Sequence, residues 1–107
     1  VIGGQAVRLM GVHAPERHED GGAAARSWMT ATALGQAVVC RREGRRSFDR
    51  VVAVCFNDAG DLAAQLVAAG LGRDCPRFSR LRYASLETEA NRRLALPAYC
   101  QPRPSAR

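Results

Sequence analysis

Apolar and polar positions fall along this chain in short runs whose period switches between two and about 3.6, which predicts strands interleaved with helices. Val1-Ile2 is followed by Gly3-Gly4-Gln5, a turn signal between two extended runs. Residues 6–12 then read as a strand, closed by Pro15, which biases Ala14 away from helix. Residues 17–22 are polar and end in glycine, so they form a loop. Residues 23–34 predict a helix, with Ala24, Trp28, Ala31 and Leu34 on one face and Gly35 at its stop. Residues 37–41 predict a strand, 42–48 a charged hairpin loop around Gly44, and 50–56 a valine-rich return strand. After the turn Asn57-Asp58-Ala59-Gly60, Asp61 is a good N-cap for a helix over 62–69 that turns Leu62, Leu66 and Val67 inward and ends at Gly70. Residues 73–80 are irregular. A last helix is expected over 81–94, with Tyr83, Leu86, Ala90 and Leu94 in one stripe. Residues 97–107 form a proline- and arginine-rich tail, ordered only if Cys100 ties it down. The order predicts an α+β domain over 1–96, and a small barrel is the natural way to close such strands.

Composition narrows the partners. The chain has 107 residues, the size of one small domain, and carries no apolar run of membrane-spanning length. Its net charge is +6, and all 16 cationic residues are arginine. Guanidinium groups stay charged and present a planar fork that fits phosphate, so a polyanion is the expected partner. The 4 cysteines form no Cys-x-x-Cys pair, which argues against a structural zinc. Cys40 and Cys55 lie at mirror positions about the hairpin centre, Cys75 precedes a proline, and Cys100 lies in the tail. The pairs Cys40–Cys55 and Cys75–Cys100 are expected, in an oxidising compartment, periplasmic or secreted. The other possibility is a set of reduced, partly buried thiols. The chain begins at Val1 and not at Met, as a mature form or a fragment would.

Three polar residues have little use in a packing account. Arg8 sits inside an apolar run, Glu16 follows the Pro15 corner, and Arg50 opens the run Val51-Val52-Ala53-Val54. A half-buried arginine is costly unless it meets an anion. Two arginines and a carboxylate converging on a cleft suit phosphodiester hydrolysis. A surface network of ion pairs is the competing account.

The segment VRLMGVHAPE resembles the "RLxGIDAPE" segment of the thermonuclease (micrococcal-type nuclease) family. SFDRVVAVC resembles its "RYGRxVAxV" segment, and DLAAQLVAAGLGRDCPRFSRLRYASLETEANR its "DLNxxLVxxGLAxxYxxYxxxYxxxExxAR" helical part. Cys75-Pro76-Arg77 and Tyr99-Cys100 resemble elements of a bacterial subgroup. The resemblance implies an OB-fold barrel with three helices and calcium-dependent cleavage of DNA or RNA; the chain itself is expected to be a monomer. It implies Glu16 as general base and Arg8 and Arg50 as phosphate clamps. Phe48 stands for an aromatic beside the nucleotide, without its hydroxyl. The loop 41–46, with Arg45 and Arg46, would guide the strand.

Two features depart from the family pattern. The calcium-binding aspartate of the "DAPE" segment is His13 here, and imidazole is a poor ligand for calcium. A second aspartate, in an Asp-Gly-Asp-Thr motif, would lie before Val1, together with the first strand and most of the second. Asp49 replaces a family glycine next to Arg50. The expected function is a phosphodiesterase domain impaired by these departures. The alternative is an OB-fold module that binds nucleic acid or protein without catalysis.

Overall fold

The computed structural model describes residues 7–33, 35–47 and 50–102, and of Arg45, Arg46 and Ser47 the backbone alone. The expectations for Val1 to Gln5, Leu34, Phe48, Asp49 and the tail from Arg103 lie outside the described residues, as do those for the Arg45 and Arg46 side chains.

The valine-rich run forms the central strand β4 (Arg50–Asn57), flanked by β1 (Val7–Leu9) and β3 (Val39–Ser47). β1 runs parallel to β4, with Arg8 opposite Val52, and β3 runs antiparallel to it. The short β5 (Gly60–Asp61) closes a hairpin on the end of β4. A second, two-stranded sheet pairs β2 (Val12–His13) with β6 (Arg73–Asp74).

The single strand expected over 6–12 is therefore two strands in two sheets. Gly11 makes the break: its φ is +80°, and a Cβ there would come within 2.9 Å of Ser79 Cβ. Its carbonyl accepts the Cys75 amide at 2.8 Å, which anchors the crossing point.

The charged loop expected over 42–48 is also corrected. β3 continues through it to Ser47, opposite Arg50. The register shifts between Arg42 and Arg46, with Gly44 at φ +61°, so the glycine serves a bulge and not the hairpin tip. Pairing with β4 satisfies the backbone groups that a loop would leave to water.

Helix α1 (Gly22–Ala33) follows the Glu16 loop, and α2 (Leu62–Ala68) follows Asp61. The Asp61 carboxylate accepts the Ala63 amide at 2.8 Å, as an N-cap should. α2 drives Leu62, Ala63, Leu66 and Val67 into the core. α1 is shallower and rotated from the expected face: Gly22 and Ala25 are buried and Trp28 packs on the core, whereas Ala24 and Ala31 are exposed.

The long last helix is broken into α3 (Pro76–Ser79), a 3-10 turn (Ala84–Leu86) and α4 (Glu89–Arg92). Arg80 and Leu81 have φ of +54° and +66°, which no helix continues through. Buried Asp74 draws the chain back, accepting from Ser79 Oγ at 2.5 Å and from the Tyr83 amide at 3.2 Å. Thr88 then starts α4 with a capping box to Asn91. A final 3-10 turn (Ala98–Cys100) ends the described chain.

The core has two clusters. Val12, Ala63, Leu66, Val67 and Tyr83 form one; Ala53, Cys55 and Leu62 form the other, with Val7 and Leu9 packed against it. The disulfides join Cys40 to Cys55 across β3 and β4, and Cys75 to Cys100. Among the described residues, no helix is long and apolar enough to cross a membrane.

Candidate functional site

Strand periodicity places the arginines. Val7 and Leu9 face the cluster around Leu62, so Arg8 between them faces the other side of the sheet. On β4, Ala53 and Cys55 face that cluster, so Arg50 and Val52 share the outer face with Arg8. Because Arg8 lies opposite Val52 in a parallel pair, Arg50 is its diagonal neighbour.

A cleft of about 370 Å³ opens on this face, lined by Arg8, Arg50, His13, Glu16, Glu19 and Tyr99 among others. The structure thus brings together Arg8, Glu16, Arg50 and His13, which the sequence singled out.

The Glu16 loop is held against the start of α1. Glu19 Oε1 accepts the Glu16 amide at 2.6 Å, and the Glu16 carbonyl accepts the Glu19 amide at 2.9 Å. Gly22 permits this approach: a Cβ there would lie 1.9 Å from the Glu16 carbonyl oxygen. The Glu16 side chain itself is exposed to solvent.

Sequence reasoning missed Tyr99. Its hydroxyl accepts a hydrogen bond from Arg8 Nη2, and the Arg8 guanidinium lies 5.0 Å from the centre of its ring. The same hydroxyl lies 2.9 Å from His13 Nδ1. The bond between Cys75 and the adjacent Cys100 carries Tyr99 back to the cleft. The available signal was an aromatic residue next to a cysteine.

His13 is buried, at 5% exposure, and its imidazole titrates below the ordinary histidine value. Burial is the main cause, Arg8 adds to it, and Glu19 and Glu16 oppose it. Its Nε2 is buried without a hydrogen-bond partner among the described residues and stands 4.0 Å from Glu19 Oε1.

These residues do not fit the calcium that the resemblance implies. Calcium takes oxygen ligands, and a buried imidazole stands at the aspartate position, with a guanidinium hydrogen-bonded to its neighbour Tyr99. Among the described residues, no three His, Cys, Asp or Glu side chains are grouped to hold a metal.

The structure is thus a small α+β domain with two strand-borne arginines and a loop carboxylate lining one cleft. Residues 6–94 match the model of the staphylococcal nuclease homologues, and the chain belongs to that OB-fold family. No curated protein matches it.

Proposed function

We propose that this domain grips the phosphodiester backbone of nucleic acid in the Arg8–Arg50 cleft, and that Glu16 is the base for its hydrolysis. The observation that carries this reading is the convergence of Arg8, Glu16 and Arg50 on one cleft. Attack by water on phosphorus builds negative charge on the non-bridging oxygens. The two guanidinium forks donate hydrogen bonds to those oxygens as the charge grows. Glu16 takes the proton of the attacking water, and the leaving oxygen is protonated from solvent. A positioned carboxylate supplies about 10²–10⁴-fold, and charge stabilisation is usually the larger share. The two disulfides favour an oxidising, extracytoplasmic setting.

The test is cleavage of an end-labelled single strand, read beside its binding. Glu16→Gln should abolish cleavage while the strand still binds. Arg8→Ala and Arg50→Ala should weaken binding more than Arg93→Ala, which removes an exposed charge elsewhere. Cleavage that survives Glu16→Gln removes the hydrolytic role. A second reading, a binding module without catalysis, is favoured by the Tyr99 hydroxyl already bonded to Arg8. Binding without any cleavage selects it.

A further inference from the structure

The arrangement at His13 goes beyond loss of a metal ligand. Tyr99 has one hydroxyl hydrogen, and its oxygen already accepts from Arg8. His13 Nδ1 stands 2.9 Å away, in place to accept that hydrogen. With Nδ1 as acceptor, a neutral imidazole carries its ring proton on Nε2. Burial and Arg8 both favour the neutral ring. In that tautomer Nε2–H is a donor, buried and without a partner among the described residues, on a side chain that lines the cleft. The nearest carboxylate oxygen, Glu19 Oε1, is 4.0 Å away and already accepts the Glu16 amide.

An aspartate at this position would offer lone pairs, which suit a cation. His13 in this tautomer offers a hydrogen, which suits an anion. Arg8 gives one of its five N–H groups to Tyr99 and keeps the others. Arg50 adds a second fork on the same wall. A buried donor without an acceptor costs free energy, and an arriving phosphate oxygen removes that cost.

We propose that the cleft binds a nucleic-acid phosphodiester without a divalent cation, with His13 Nε2–H donating to a phosphate oxygen beside the Arg8 and Arg50 forks. This inference rests on the reading of the cleft as a phosphodiester site. Glu16 and Glu19 also line the cleft, so the experiment contains a calcium arm.

The probe is a fluorescein-labelled octamer of deoxythymidylate, titrated by anisotropy into the intact, oxidised chain at low salt, with EDTA and with calcium. Equal affinity in the two buffers is expected. His13→Phe, which keeps a ring and removes the donor, should weaken binding roughly tenfold in EDTA, the scale of a hydrogen bond to a charged group. His13→Asp should lose affinity in EDTA and regain it with calcium. Nitrogen-15 spectra of the histidine rings supply a readout that does not depend on the variants folding. They should show His13 protonated at Nε2 and that resonance moving when the octamer is added. Wild-type binding that needs calcium overturns the inference and leaves the phosphodiester reading in place, as does a proton found on Nδ1. Absence of binding in both buffers overturns the phosphodiester reading itself, and this inference with it.

Discussion

At the scale of single residues, the position of the candidate base depends on a glycine packed against its backbone. Gly22 is the only type of residue that lets the Glu16 carbonyl approach to this distance. Gly22→Ala should push the loop outward, with a cost of about 1–3 kcal/mol in thermal unfolding, typical of overpacking. Cleavage of a labelled strand should fall as Glu16 leaves the cleft wall, while the Arg8 and Arg50 forks still bind the strand. Tyr83 offers a second test. Its hydroxyl donates to Asp61 Oδ2 at 2.6 Å, and its pKa is pushed up to about 12, by burial first and by that hydrogen bond second. The unfolded phenol ionises near pH 10. Between pH 10 and about 12 the unfolded chain therefore releases this proton before the folded one does, and stability falls across that window. In Tyr83→Phe that loss should vanish, and at neutral pH the variant should be about 1 kcal/mol less stable, because Asp61 Oδ2 loses its donor. Chemical denaturation at several pH values checks both.

At the scale of elements, the sequence was most readable where one local rule ruled alone. α2 obeyed its cap, its stripe and its closing glycine, and the hairpin of β3 and β4 placed Cys40 opposite Cys55. It was least readable where a distant group overrode a local pattern. The apolar stripe at Tyr83, Leu86, Ala90 and Leu94 has helical spacing, yet buried Asp74 and Asn91 take the backbone elsewhere. Asn91, fully buried, donates to the carbonyls of Val67 at 2.7 Å and Gly72 at 2.8 Å. No periodicity shows that an asparagine ties three segments together. The Cys75–Cys100 bond joins α3 to the turn that bears Tyr99. Replacing both cysteines by serine should cost about 3 kcal/mol, and it should free the Arg8 guanidinium from the phenol. Tyrosine fluorescence and near-ultraviolet dichroism would register that release. The same replacement of Cys40 and Cys55 should lower stability and leave the Tyr99 signal in place.

At the scale of the whole molecule, charge and topology act together. The surplus of +6 favours polyanions at any face, and the sheet sets Arg8 and Arg50 side by side in the proposed cleft. For single-stranded DNA the logarithm of affinity should fall linearly with that of salt. Arg8→Ala and Arg50→Ala should each lower the slope by about 0.7, the share of one phosphate contact. A slope unchanged in both variants would mean that the strand binds elsewhere. Much of the candidate site was legible, because Arg8, Glu16 and Arg50 each break a local pattern that packing alone would keep. Tyr99 breaks none, and its place follows only from tertiary contacts.

That contact joins residues 91 positions apart in sequence. During synthesis Arg8 leaves the ribosome well before Tyr99, which follows only after nearly all the described chain. Until then the cleft lacks one wall, and closing that wall with a disulfide needs an oxidant. A nascent chain rich in arginine is thus made beside ribosomal RNA while the cleft proposed to grip a strand is still unassembled.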